Sequence, residues 1–242
     1  MDFITYYAEA LLSRLQAISQ EDGEKIRAAA ALLFSADIGG HKIYTFGTGH
    51  SHMIGQDIYA RAGGFAKIYP ILEPELTLVT HPTKSTHIER TAAYADILEQ
   101  VYHPEAGDVV IAASNSGRNA LVVEYLSRLK ARGVAIVAIT SLSHSGAVSS
   151  RHPSGLKLCD LADVCLDNRA PYGDATVAID DAHAMGPVST ITSCYLSQLI
   201  VGEFVTMLLA DGREAPVFYS GNMDNADAHN QALFDRYLLH RK

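Results

Sequence analysis

Phe46-Gly47-Thr48-Gly49-His50-Ser51 and Ala113-Ser114-Asn115-Ser116-Gly117-Arg118-Asn119 are the stretches on which the fold turns. Each follows a short run of apolar residues, 42–46 and 108–113, and each precedes a segment of helical pattern. An apolar run without polar alternation, passing through Gly and Ser into a helix, is the signature of a strand in a parallel sheet covered on both faces. The same pattern recurs at 66–72, 134–139 and 164–166, with helical segments to about Ala62 and over 88–101, 118–132 and 188–209. Alternating strands and helices predict an α/β domain with right-handed crossovers. Ligands in such sheets bind where strands pass into helices.

Upstream, Phe3, Tyr7, Leu11, Leu15 and Ile18 recur at helical spacing, and an Ala-rich helix over 24–35 stops at Gly39-Gly40. Residues 1–40 are therefore a helical N-terminal arm and 41–242 the α/β domain with a C-terminal extension. The apolar stripe of the first helix has no strand of its own to cover, so it predicts an interface between two copies, a homodimer.

In the 242-residue chain, 19 Lys and Arg face 27 Asp and Glu, a net charge of −8, and 48% of residues are apolar. This balance excludes nucleic acid as a partner, because affinity for it comes from Lys and Arg at phosphates. No basic segment followed by an apolar run opens the chain, so no leader is expected. The most apolar long stretch, 188–209, carries Glu203 and several hydroxyls and is a core helix rather than a membrane span. Cys159, Cys165 and Cys194 form no CxxC pair and read as free buried thiols of a cytoplasmic protein.

The two Gly/Ser loops offer neutral hydrogen-bond donors at helix starts, a way for an acidic protein to hold an anion the size of phosphate. Each alone could be a helix cap. Two at the ends of two apolar strands favour a ligand. Gly47, Gly49, His50, Ser51, Ser114, Asn115, Ser116 and Asn119 are the candidate binding residues.

These loops resemble those of the SIS (sugar isomerase) domain family, which read approximately GxGxS and SxSGxT. Ile139-Thr140-Ser141 is similar to that family's third strand end, and the resemblance spans roughly residues 40–205. It implies a flavodoxin-like sheet, a phosphorylated sugar as ligand and a dimer with sites at the subunit interface. Asn119 stands where Thr is common in the family, and His50 where Thr is frequent. Met185-Gly186-Pro187-Val188-Ser189-Thr190 together with 108–119 is similar to the N-acetylmuramic acid 6-phosphate etherases, but a second matching Glu after Ser51 is missing. The helix over 189–209 lacks the paired histidines of the sedoheptulose 7-phosphate isomerases. With no glutaminase region ahead of the SIS region, glucosamine 6-phosphate synthase does not fit. The segment 216–230, with Ser150-Arg151-His152 and Gly173-Asp174-Ala175, resembles a set of uncharacterised single-domain SIS proteins.

Aldose–ketose isomerisation and ether elimination both begin with removal of a proton next to a carbonyl, which needs a carboxylate or imidazole beside the phosphate pocket. Glu89 is the first candidate base, read as standing at a helix start, and His183 and His229 are the further catalytic candidates. His50 and His52 would diverge on a helix, so no metal is expected. No cofactor is expected either: a dinucleotide loop needs a third glycine where His52 stands, although Glu73 lies at the distance of a ribose contact. The expected function is phosphosugar isomerisation. The alternatives are an etherase-like lyase and a non-catalytic phosphosugar sensor.

Overall fold

The computed structural model describes residues 2–238. Its centre is a five-stranded parallel sheet of β1 (Ile43–Gly47), β2 (Ile68–Ile71), β3 (Val109–Ala113), β4 (Ala135–Thr140) and β5 (Val164–Asp167) in the order β2-β1-β3-β4-β5. This is the flavodoxin-like order, whose direction reverses between β1 and β3. Their register pairs Ile43 with Val109 and Gly47 with Ala113, so the two Gly/Ser loops leave the sheet side by side.

β1 and β3 are buried along their whole length, and their side chains divide between two cores. Ile43, Val109, Ile111, Val137 and Ile139 point to one face, covered by α2 (Gly23–Ile38), α3 (Met53–Ile58) and α9 (Ser189–Ala210). Tyr44, Phe46, Val110, Ala112 and Ile136 point to the other, covered by α5 (Tyr94–Tyr102), α6 (Ala120–Ala131) and the short α8 (Leu158–Leu161). Each strand is thus apolar on both sides, which erases the polar alternation a half-exposed strand would show. α9 is long and apolar enough to cross a membrane by length and composition. Here Leu196, Ile200, Phe204 and Leu208 are buried in the core against α2 and α3.

Several expectations from the sequence are corrected. The stretch 88–101 is two helices: α4 (Pro82–Ile88) ends before Glu89, and α5 begins at Tyr94. An antiparallel hairpin of β6 (Ala175–Ala178) and β7 (Ala184–Pro187) stands outside the main sheet. The apolar stripe of α1 (Phe3–Glu21) is not open to solvent. Ile18 is buried, and the Tyr7 hydroxyl donates to the Pro187 carbonyl at 2.8 Å, so this face packs on the hairpin and α9. The exposed apolar side chains of α1 are instead Ile4, Tyr6 and Leu12. The long loop after β4 contains α7 (Leu142–Gly146), capped by Ser141. Following α9, the chain returns to bridge Val217 to Phe65 and ends in α10 (Ala226–Leu233) and a π-helical turn, Phe234–Leu238.

The cysteines differ too. Cys159 of α8 is disulfide-bonded to Cys165 of β5, with Cα atoms 5.5 Å apart, because the four-residue helix turns straight back into the edge strand. Cys194 is free and half-buried, and burial pushes its thiol up to about 11.

Candidate active site

The β1 loop is built by a close backbone approach. A Cβ on Gly47 would overlap the Ser51 carbonyl and stand 2.8 Å from the His52 nitrogen. Only glycine lets the chain fold back here into the 3-10 turn Gly49–His52. The Ser51 N–H donates to the Thr48 carbonyl at 3.1 Å, and the buried His52 ring bonds the Gly49 carbonyl. Ser51 and His50 are left on the open side of the turn.

The β3 loop is held by its neighbours. Ser114 Oγ accepts the Gly117 N–H at 3.2 Å, and Gly117 takes a left-handed φ of +62° with Leu158 packed against it. From β4, Thr140 Oγ1 donates to the carbonyls of Ser114 (2.7 Å) and Asn115 (3.2 Å), and the Ser141 N–H donates to Asn115 O. Beyond the end of β5, the buried Asn168 donates its side-chain N–H groups to Asn115 Oδ1 and Ser193 Oγ, both at 3.1 Å. Asn168 thereby ties the β3 loop to the first turns of α9. The start of α9 is fixed in turn by Asp174, which accepts from the Val188 and Ser189 N–H groups and the Ser189 hydroxyl.

His50, Ser51, Asn115, Asn168, Ser189 and Ser193 line a narrow cleft between these elements, at the carboxyl end of the sheet. A larger groove of about 630 Å³ runs between α1 and β6, lined by Tyr6, Glu9, Ser13 and Val177. The narrow cleft has room for only about 10 Å³, and it is the candidate site by placement rather than size, because polar groups from four chain segments converge there at the switch point. Among the described residues, the hydroxyls of Ser51 and Ser116 have no protein partner; Ser51 lines the cleft and Ser116 does not. Ser114 differs: its oxygen already holds the turn.

Glu89 does not line this cleft but is bonded to Thr48 of the β1 loop, two residues from His50. It follows the last residue of α4, so its own helix presents the negative end to it. Its carbonyl, however, accepts the Leu121 N–H at 3.1 Å, which fastens it to the first turn of α6. The expected helix start is therefore that of a neighbouring helix. Thr48 Oγ1 from the β1 loop donates to Glu89 Oε2 at 2.8 Å. Burial raises the Glu89 carboxyl above its ordinary value, while Thr48, the charges of Arg90 and Arg151, and Asn119 from the β3 loop pull it back. One carboxylate thus touches both loops, and its pKa is raised by burial.

The histidines separate sharply. His50 lines the cleft. His183 sits at the turn of the β6–β7 hairpin with 73% of its side chain exposed, and bonds Asp180. His229 of α10 bonds the Val217 carbonyl at 2.9 Å and stacks on Tyr219, with ring centroids 3.8 Å apart. Neither lines the cleft or bonds Glu89. The sequence reading missed Thr48, Asn168, Ser189 and Ser193 as site residues. Asn168 carries a readable signal, since it directly follows the last residue of a strand, like the two loops that were found.

A family model for the SIS domain matches residues 6–141. The chain belongs to the SIS domain family. Over 235 residues, 97% of this chain and 97% of the relative, it is 39% identical to the UPF0309 protein BH3325 of Halalkalibacterium halodurans. Among solved structures it is similar to the phosphoheptose isomerase GmhA from Neisseria gonorrhoeae, with a TM-score of 0.56 and 19% identity over 84% of this chain and 97% of that one. It is also similar to the Vibrio vulnificus NanR protein complexed with ManNAc-6P, with a TM-score of 0.53 and 16% identity over 86% and 64%. At these identities the structural likenesses establish the fold.

Proposed function

We propose that this protein binds a phosphorylated sugar at the carboxyl end of β1 and β3 and isomerises it between aldose and ketose. The observation that carries the reading is the Glu89 carboxylate, half-buried and bonded to Thr48 of one loop beside Asn119 of the other. The phosphate would rest on the free hydroxyls of Ser51 and Ser116. Glu89 would take the proton from the carbon next to the sugar carbonyl and return it to the adjacent carbon of the enediol. His50, the histidine lining the cleft, is placed for the proton at the oxygens. Names among the structural neighbours agree: one is a phosphoheptose isomerase and another was solved with ManNAc-6P. Homodimer assembly belongs to the same reading, with the exposed Ile4, Tyr6 and Leu12 of α1 as the surface to be covered.

The first step is shared with an etherase-like lyase, and a sensor would bind without it. A panel of sugar phosphates in deuterated water separates the three. Deuterium entering the sugar with a ketose product supports isomerisation. Loss of a leaving group supports the lyase, and binding without exchange supports the sensor.

A further inference from the structure

The charges of Arg90 and Arg151 act on Glu89, and Arg118 lies against Arg151. The two loop arginines are joined through their main chains, the Arg151 N–H donating to the Arg118 carbonyl at 2.8 Å. Arg151 Nη1 donates to Asn119 Oδ1 at 2.6 Å, at the end of the β3 loop. Arg90 follows Glu89 directly and is exposed, as is Arg151. Arg118 is half-buried, and its Nε is a buried donor without a partner. Arg118, Arg90 and Glu89 act electrostatically on Arg151. Among the described residues, none of the three guanidinium groups forms an ion pair with a carboxylate, Glu89 included, although the chain has eight more acidic than basic residues. Two positive groups therefore act on a carboxylate already bonded to Thr48, and a third, Arg118, lies beside one of them. Guanidinium groups held together unpaired, one with a buried free donor, match the fork geometry of a carboxylate or phosphate.

We propose that the sugar phosphate carries a second anionic group, a carboxylate or a second phosphate, and that Arg118, Arg90 and Arg151 receive it beside Glu89. This rests on the phosphosugar reading and narrows its substrate class. The first phosphate goes to the neutral hydroxyls of Ser51 and Ser116, and the second anion goes to the arginines. An anion near the reacting carbon is also compatible with the base, because the arginines offset its repulsion with the Glu89 carboxylate.

The test is calorimetry of the full chain with a hexose 6-phosphate, the matching aldonic acid 6-phosphate and a hexose 1,6-bisphosphate. One or both ligands with a second anionic group are expected to bind at least tenfold tighter than hexose 6-phosphate, whose phosphate is its one anionic group. Which of the two wins tells a carboxylate from a second phosphate. Arg118→Gln should bring that ratio toward one while changing hexose 6-phosphate affinity less than about twofold, and the exposed Arg90→Gln should act the same way if Arg118→Gln fails to fold. Hexose 6-phosphate binding as tightly as both ligands with a second anionic group overturns the proposal, and so does a ratio unchanged in the variants. No binding of any sugar phosphate overturns the phosphosugar reading and this proposal with it, whereas tight binding of hexose 6-phosphate alone leaves the first standing and removes only the second.

Discussion

The loops after β1 and β3 have similar composition, leave adjacent strands and face one cleft, yet they are stiffened in opposite ways. The β1 loop is held mainly by itself: Gly47 lets the backbone close onto Ser51, and its one side-chain bond to another segment runs from Thr48 to Glu89. The β3 loop is held from outside by Thr140, Ser141 and Asn168. A self-made turn depends on one backbone position, whereas a braced one depends on several side chains, each replaceable at modest cost. Glu89 joins the two, since it bonds Thr48 of the first and its carbonyl caps α6 behind the second.

The sharpest way to break this contrast is Gly47→Ala. The new methyl group meets backbone that cannot swing aside, so the variant should lose about 2–4 kcal/mol of stability in denaturant titration. A loss under about 0.5 kcal/mol would mean the turn is not locked by this approach. Ser51→Ala and Ser116→Ala come next, each expected to weaken sugar-phosphate binding by about 1–3 kcal/mol with stability unchanged, since neither hydroxyl holds the fold. Equal calorimetric affinity for a sugar and its phosphate would remove the anion site. Thr140→Val keeps the shape and deletes two bonds to the β3 loop. It should cost about 1–2 kcal/mol in thermal unfolding, a modest share of a brace shared with Ser141 and Asn168.

The smallest effect concerns pH. Because the folded pKa of Glu89 is raised, the folded state keeps a proton over a range where the unfolded chain has lost it. Stability contributed by this group therefore falls as pH rises from the ordinary carboxylate value of 4.5 through the raised one. Glu89→Gln should melt slightly above the wild type at pH 7, and the difference should vanish below pH 4.5. A lower Tm at pH 7 would show that the ionised carboxylate is a structural asset.

The strand ends were legible because glycine and serine after an apolar run have few other uses, although of the loop residues only His50, Ser51 and Asn115 line the cleft. The flavodoxin-like order and the SIS family followed from the same loops. The break between α4 and α5 was not legible, since Ile88, Ala92, Ala95 and Leu98 keep helical spacing across it while the chain turns at Glu89–Ala93 to cap α6. The hairpin of β6 and β7 was hidden by its short, largely exposed strands, which carry no run of core residues. The histidines were ranked by their position in the chain, but the distance from a hairpin tip or a C-terminal helix to the cleft is decided by the tertiary path alone. Arg118 and Arg151 lie 33 positions apart in sequence, and only the loop after β4 brings their main chains into contact.

The central claim is that Glu89 is the base of a sugar-phosphate proton transfer. Its most direct test is deuterium incorporation from solvent into a bound sugar phosphate, measured for the wild type and for Glu89→Gln at matched occupancy. The account predicts exchange in the wild type, a reduction on the order of 100-fold or more in Glu89→Gln, and affinity within a few-fold of the wild type. Undiminished exchange in Glu89→Gln would contradict it.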